Sequence, residues 1–345
     1  MSEEEVLFER EGAAGFVTLN RPKALNALTL AMVRALHPQL EAWAADEAVS
    51  CVVVQGAGEK AFCAGGDIRA LHDWGKAKDR TQIDFYREEY RLNRFIKKYP
   101  KPYVALIDGI DMGGGVGLSI HGAHRVVSER TLFAMPETGI GLFPDVGGTY
   151  FLPRCPGEVG MYLALTGARL KAADCLYAGL ADVFVPSEKL EELKAALAKG
   201  DAEPGEVIDL FAEPAGEAPL AEVRAAIDTH FAGGSVEEIL ASLDAAGSGW
   251  AQETAKTIRA KSPLSTKVAF AQVRAGAKLD FDACMQLEFR LTNRFMAGHD
   301  FYEGVRAVVI DKDQAPKWDP ATLDGVSDDM VQAYFADLGA GELTF

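Results

Sequence analysis

Two acids in one short stretch, Glu137 and Asp145 of AMPETGIGLFPDVGGTYFLPR, are the side chains best suited to reaction chemistry. One member of such a pair can attack a carbonyl or activate water while the other orients water or handles the proton on the leaving side. Capping of turns is the plain alternative. Two glycine-rich turns could supply backbone groups to the same chemistry. Ala64-Gly65-Gly66-Asp67 and Gly113-Gly114-Gly115 follow apolar runs, and no large side chain keeps a ligand from either main chain. Each can aim one N–H at a shared point, and two such donors stabilise the oxyanion that forms when a carbonyl is attacked or enolised. Loss of one donor costs on the order of 3 kcal/mol in comparable sites. The second turn leads into VGLSIHGAHRVV. A helix opening there points its first free N–H groups at whatever sits above the turn, which favours negative charge.

The elements that must hold these residues are read from hydrophobic period. Val6 to Glu9 and Phe16 to Leu19, split by EREGAAG, predict a hairpin. Leu30, Val33, Leu36, Leu40 and Trp43 recur at helical spacing, with Thr29 as N-cap and Pro38 predicting a kink or break. SCVVVQ (from Ser50) and YVALID (from Tyr103) are runs of the kind buried on both faces of a sheet. GAGEKA, after the first of them, matches a relaxed dinucleotide fingerprint. A Rossmann site is not expected, because AFCAGGDI does not continue as a helix and no acid closes a following strand.

Asp84 to Lys97 predicts an amphipathic helix whose Glu88, Glu89 and arginines suit a solvated, salt-bridged face. Arg125 to Val127 and Thr131 to Ala134 are short strands. Val159 to Thr166, Ala172 to Ala178 and Ser187 to Lys199 are helices, and Ala181 to Val185 is extended. Gly200 to Pro219 is a loop or insertion by its Ala, Glu, Gly and Pro content. Leu220 to Phe231, Val236 to Asp244, Ala251 to Arg259, Pro263 to Arg274 and Phe281 to Ala297 are helical, so the C-terminal half is mainly helix.

Composition narrows the function classes. A chain of 345 residues with 48% hydrophobic residues has ample material for a core. Its net charge of −16 opposes binding to nucleic acid or an anionic membrane surface. The cysteines, Cys51, Cys63, Cys155, Cys175 and Cys284, are widely spaced without a CxxC pair, which predicts reduced thiols rather than disulfides or a zinc knuckle. MSEEEVLFEREG is acidic where a signal or transit peptide would be basic, and no apolar run approaches a transmembrane length, so a cytoplasmic enzyme is expected. GxSxG, HExxH and GxxxxGK[ST] are all absent.

AFCAGGDI, IDGIDMGGGVGL and AMPETGIGLFPDVGGTYFLPR together resemble the crotonase (enoyl-CoA hydratase/isomerase) superfamily, and more closely its 3-hydroxyisobutyryl-CoA hydrolase branch. The likeness extends to GHDFYEGVRAVVIDKDQAPKW near the C-terminus. It implies an α/β fold: a ββα spiral core over 1–199 with the active site, a loop over 200–219, and a helical region over 220–345 that contacts other subunits or folds over the site. A homo-oligomer would follow from the first arrangement. The N–H groups of Gly66 and Gly114 would hold the thioester oxygen of an acyl-CoA. The CoA would run past Lys23, Ala24 and Leu25, and past the turn carrying Ala64, Asp67 and Ile68.

The same resemblance makes the carboxylates decisive. Family hydratases carry one acid two residues after the glycine triplet, where this chain has Gly117. Glu137 matches their second acid, and Asp145 stands where hydratases usually carry a small residue, which is the hydrolase pattern. Glu137 is then nucleophile or general base, Asp145 its partner, and Glu89 the acceptor for a substrate 3-hydroxyl. The implied reaction is hydrolysis of 3-hydroxyisobutyryl-CoA or a close 3-hydroxyacyl-CoA, as in valine breakdown, with no metal and no redox cofactor. CoA enters only as part of the substrate. The rivals are an enoyl-CoA hydratase or isomerase, weakened by Gly117, and a silent acyl-CoA- or RNA-binding member of the fold.

Overall fold

The computed structural model describes residues 4–345; Met1 to Glu3 of the acidic N-terminal segment lie outside them. The chain divides into two compact units.

The first unit takes the residues up to Asp67, Arg91–Ala134 and Arg169–Ala221. It holds β1 (Val6–Glu11), β2 (Ala14–Leu19), β3 (Cys51–Gly56), β4 (Ala61–Cys63), β5 (Tyr103–Ile107), β6 (Ile110–Met112), β7 (His124–Val127), β8 (Leu132–Ala134) and β9 (Val183–Phe184). Two sheets form, in the orders β1-β2-β3-β5-β7-β9 and β4-β6-β8. Of the strands named here, among the described residues, only β1 and β2 pair antiparallel, with Phe8 opposite Val17; the other strand pairs are parallel. The chain steps three times from the large sheet to the small one, β3 to β4, β5 to β6 and β7 to β8, and this repeated ββ step is the turn of a spiral.

Val52, Val53 and Val54 are all buried, as a strand covered on both faces requires. Val53, Val104, Leu106 and Val126 pack with Leu193, Leu197, Val207 and Ile208. Each such side chain contributes about 1.5–3 kcal/mol through its burial.

Two sequence expectations need correction here, and one strand went unread. The helix Leu30–Ala45, capped by the Thr29 hydroxyl accepting from the Met32 N–H at 3.1 Å, runs unbroken through Pro38. Pro38 lies on the exposed face, where water can serve the carbonyl that the ring leaves unbonded. Residues 200–219 are not one loop. Pro204–Asp209 is a helix that starts on proline and buries Val207 and Ile208 in the core of the unit; six residues are too few to show a period. Strand β6 was hidden between Gly109 and Gly113, whose composition reads as continuous turn.

The second unit takes Ile68–Tyr90, Met135–Ala168 and Glu222–Phe345 and is helical. The contiguous division expected at 199 and 220 is therefore not how the chain groups. The helix Val159–Thr166 packs on the helix Pro263–Gly276, and both belong to this unit. Ser235, Ser248, Ser262, Asp280 and Ser327 each cap a helix by accepting an N–H three residues on. The helix Phe281–Ala297 buries Phe289, Leu291 and Phe295 on the same side as two polar groups, Glu288 and Thr292.

Candidate active site

In the first unit the two glycine turns meet. Strand β4 ends at Cys63, and Gly65 follows in the left-handed region with φ 111°. A Cβ there would lie 3.3 Å from the Met112 carbonyl oxygen and 3.7 Å from the Gly114 nitrogen, so the turn after β4 abuts the turn after β6. The bridge between Leu28 and Gly66 is closed by Leu28 N–H donating to the Gly65 carbonyl and Asp67 N–H donating to the Leu28 carbonyl, at 2.8 and 2.9 Å. Those two bonds leave the Gly66 N–H outside the ladder. Gly113, at φ 50° and ψ −124°, opens the buried helix Gly114–Ser119 in a conformation that only glycine adopts readily. Gly115 is equally constrained: its Cβ would sit 2.2 Å from the Cys63 carbonyl oxygen. The geometry therefore places the backbone at Gly114 beside the Gly65–Gly66 turn, as two donors for one oxygen require.

The Lys23-Ala24-Leu25 segment is braced by a residue the sequence did not single out. The Asn26 amide donates to the Ala57 and Ala61 carbonyls at 3.0 and 2.8 Å, and its oxygen accepts from the Arg21 N–H. The Ala64 N–H donates to the Leu25 carbonyl at 3.0 Å, which ties the two expected CoA-lining segments together. Asp67 receives the Arg21 guanidinium at 3.1 Å, so its carboxylate is a brace of this corner. Ile68 begins the helix Ile68–Lys76, which the turn-like residues before it do not announce. A cavity of about 290 Å³ opens between Lys23, Leu25, Gly58 and Lys60. Two lysines at its edge suit a phosphate-bearing chain. Gly117 offers no acid, and its carbonyl accepts the Asn93 amide at 3.0 Å.

In the second unit five acids are buried, Glu89, Glu137, Asp145, Glu288 and Asp300, and the first four act on one another electrostatically. The solvated face expected for Glu89 is overturned, since it is 1% exposed. Gln82, Phe85, Tyr86, Glu89 and Tyr90 form the buried side of the helix Thr81–Lys97. A hydrophobicity pattern counts Gln82 and Glu89 as outside, which is why that face was misread. One oxygen of Glu89 and one of Glu137 have no hydrogen-bond partner, as reactive or substrate-facing atoms would.

Asp145 is better supplied. The Tyr90 hydroxyl donates to Asp145 Oδ2 at 2.8 Å and lies 2.7 Å from Thr292 Oγ1, whose own proton can complete the chain. The turn after Asp145 is strained: Val146 is β-branched and buried at φ 50°, which costs about 1–3 kcal/mol. Glu288 accepts from the Gly147 and Thr149 N–H groups, both at 2.8 Å.

Burial sets the protonation of this group. It pushes Asp145 up to about 6, the Tyr90 hydroxyl holding it from rising further. Burial, with the Asp145 charge added, pushes Glu137 well above the usual carboxylate range, while Lys261 pulls it down. Lys261 reaches over the Glu137–Ile140 turn, 3.4 Å from where a Cβ on Gly139 would be. Glu89 is likewise pushed well up by burial, then by Asp145 and Glu288, and Glu288 itself is pushed up to about 8. Burial and the charge of Asp145 beside Glu137 thus oppose ionisation of both members of the pair at once.

Such a pair can transfer a proton and assist attack on a carbonyl. Tyr86, Tyr90, Glu288, Thr292, Gln272 and Lys261 join the predicted acids without having been found in the sequence. One signal was available. Glu288 is a single acid inside the stripe Cys284, Met285, Leu291 and Phe295, and a lone charge on an apolar helix face needs a partner. No group of His, Cys, Asp and Glu arranged to hold a metal occurs among the described residues. No helix among them is long and apolar enough to cross a membrane.

Comparison with known proteins places these features in context. A family model for enoyl-CoA hydratase/isomerase matches residues 14–335. The mitochondrial 3-hydroxyisobutyryl-CoA hydrolase of Danio rerio is 53% identical over 98% of this chain and 91% of its own length. The Homo sapiens enzyme of that name is 48% identical over 99% and 91%. Among solved structures, a carnitinyl-CoA dehydratase from Mycobacterium thermoresistibile superposes with a TM-score of 0.95 at 44% identity, covering 99% of both chains. An enoyl-CoA hydratase from Rhodobacter sphaeroides gives 0.94 at 43%, covering 99% of this chain and all of its own. The expected α/β spiral is the fold of these proteins. The cytoplasmic expectation is overturned, since the hydrolases that match are named mitochondrial. Reasoning from an acidic segment asked only whether that segment could be a leader, which does not decide where an enzyme acts.

Proposed function

Since the chain belongs to the enoyl-CoA hydratase/isomerase family, we propose that it hydrolyses 3-hydroxyisobutyryl-CoA to the free 3-hydroxy acid and CoA, the thioester step of valine breakdown. The observation that carries this reading is the buried pair Glu137 and Asp145, set against Gly117 where a hydratase would carry its other acid. Hydration of a conjugated double bond needs two acid/base groups near the α and β carbons. Hydrolysis needs a carbonyl polarised by N–H donors and a pair that moves one proton, and the chain supplies both sets of groups.

In this mechanism Gly66 and Gly114 donate to the thioester oxygen. Glu137 passes its proton to the anionic Asp145 and then either bonds to the carbonyl carbon or takes a proton from water that does so. The carbon–sulfur bond breaks, and Asp145 returns the proton to the departing thiolate. Water supplies the oxygen of the product acid, directly or by cleaving the acyl–Glu137 anhydride. No metal or redox group takes part in these steps. The cavity beside Lys23 and Lys60 supports a CoA path along Lys23, Ala24 and Leu25; Ala64, bonded to Leu25, and Asp67, bonded to Arg21, belong to the adjoining turn, after which Ile68 opens a helix.

The test is thiol release from a panel of acyl-CoA esters beside ultraviolet detection of crotonyl-CoA hydration. Release from 3-hydroxyisobutyryl-CoA should dominate, unchanged by EDTA; faster hydration than any thiol release would sink the reading. Glu89 gives a second result from the same assay. Its one unpartnered oxygen, on a carboxyl that burial pushes well up, suits a hydrogen bond with the 3-hydroxyl, worth about 0.5–1.5 kcal/mol between neutral groups. Glu89→Ala should therefore lose about twofold to tenfold more kcat/KM on the 3-hydroxyacyl ester than on its deoxy analogue. Equal losses on both esters would remove Glu89 from substrate recognition.

A further inference from the structure

The loop that carries Asp145 is held from three sides by residues of the second unit that touch no expected substrate atom. The Gln272 amide donates to the Pro144 carbonyl at 2.6 Å and to Thr149 Oγ1 at 2.7 Å. Gly276, at the end of the same helix, admits the Thr149 carbonyl so closely that a Cβ would sit 1.9 Å from it. Glu288 accepts from Gly147 and Thr149 N–H, one with each oxygen. One helical turn further on, Thr292 meets the Tyr90 hydroxyl that donates to Asp145. Glu288, Gln272 and Thr292 are fully buried, and Val146 between these anchors is in the left-handed region that a β-branched residue avoids.

We infer that Glu288 is the positioning residue of the hydrolytic pair: by spanning the Gly147 and Thr149 N–H groups it fixes the Asp145–Gly147 turn in the strained form that presents Asp145 to Tyr90. The inference rests on the reading of Asp145 as a reacting group. A buried acid is a poor choice if stability were the only purpose, because the Asp145 charge acts against its own and burial opposes it further. A serine or asparagine could cap one N–H without that repulsion. Only a side chain with two acceptor oxygens and this reach serves both N–H groups at once, and a loop so held cannot relax Val146 without releasing Asp145.

Glu288→Gln tests this, since the amide keeps the shape but retains a single acceptor. With the full chain and 3-hydroxyisobutyryl-CoA, kcat should fall about tenfold to a hundredfold, while KM stays within about twofold because no CoA contact changes. Amide hydrogen exchange at Gly147 and Thr149 should accelerate. Adding Glu288→Gln to Asp145→Asn should cost nothing further, as the group being positioned is already gone. A folded Glu288→Gln variant with wild-type kcat, or a double variant slower by the full product of the singles, overturns the inference and leaves the function intact. Wild-type kcat in Asp145→Asn overturns both. Should Glu288→Gln fail to fold, Gln272→Met frees the same loop from the opposite side without touching an acid; a fall in kcat at constant KM supports the positioning role, and an unchanged kcat ends it.

Discussion

Glu137→Gln and Asp145→Asn should each slow thiol release from 3-hydroxyisobutyryl-CoA by about a thousandfold or more, and the double variant should be little slower than the poorer single. Groups that act in one step are not additive: once either is lost, the other has no proton to exchange. The pH profile supplies an independent check. With Asp145 pushed up to about 6 by burial, kcat/KM should fall as pH drops below that value, because Asp145 then keeps a proton and cannot accept the one from Glu137. At high pH both members ionise and activity falls again. Asp145→Asn should abolish the acid limb in whatever activity is left. Additive losses, or an acid limb that survives Asp145→Asn, would mean that these acids do not act as one unit.

Gly114→Val should cut turnover by roughly a hundredfold or more, the loss of one oxyanion donor. Gly114 is the first residue of a buried helix and stands against the Gly65 turn, so a branched side chain there displaces either the thioester or the N–H meant to hold it. Folding should survive better than activity. Circular dichroism and steady-state kinetics on the purified variant decide this: a folded protein with near wild-type turnover would show that Gly114 is not the donor.

What the sequence disclosed and what it withheld divide by distance along the chain. The two glycine turns, the capped helix after Thr29 and the pair Glu137 and Asp145 are local patterns, and each was legible because its residues are contiguous or nearly so. The helix Pro204–Asp209 and strand β6 escaped because they are too short for a period to repeat and be seen. Glu89 was misjudged for a different reason. Its helix places polar groups inward, and reading polar as outward reverses the face. Tyr90 and Gln272 could be recognised only after folding, and the apolar stripe around Glu288 announces a need for a partner without naming Gly147, which is far away in sequence. The composition likewise favoured no compartment correctly, as the mitochondrial relatives demonstrate.

The buried acids also make folding a proton-uptake reaction. Unfolded carboxyls titrate near 3.8 for Asp and 4.5 for Glu, whereas burial moves Asp145 to about 6, Asp111 to about 7 and Glu288 to about 8. Between those limits the folded chain holds protons that the unfolded chain has released. Stability from these groups is therefore fully present below pH 4 or so and drains away as pH rises through the folded values, at up to about 1.4 kcal/mol per pH unit for each proton held. Thermal melts from pH 5 to 9 should show a midpoint that falls with rising pH, and Glu288→Gln, which cannot ionise, should flatten the upper part of that slope. The formal charge of −16 assigns full ionisation to every one of these acids. The folded molecule near neutral pH is less negative than its formula, and the protons responsible for the difference would be taken from the buffer each time a chain folds.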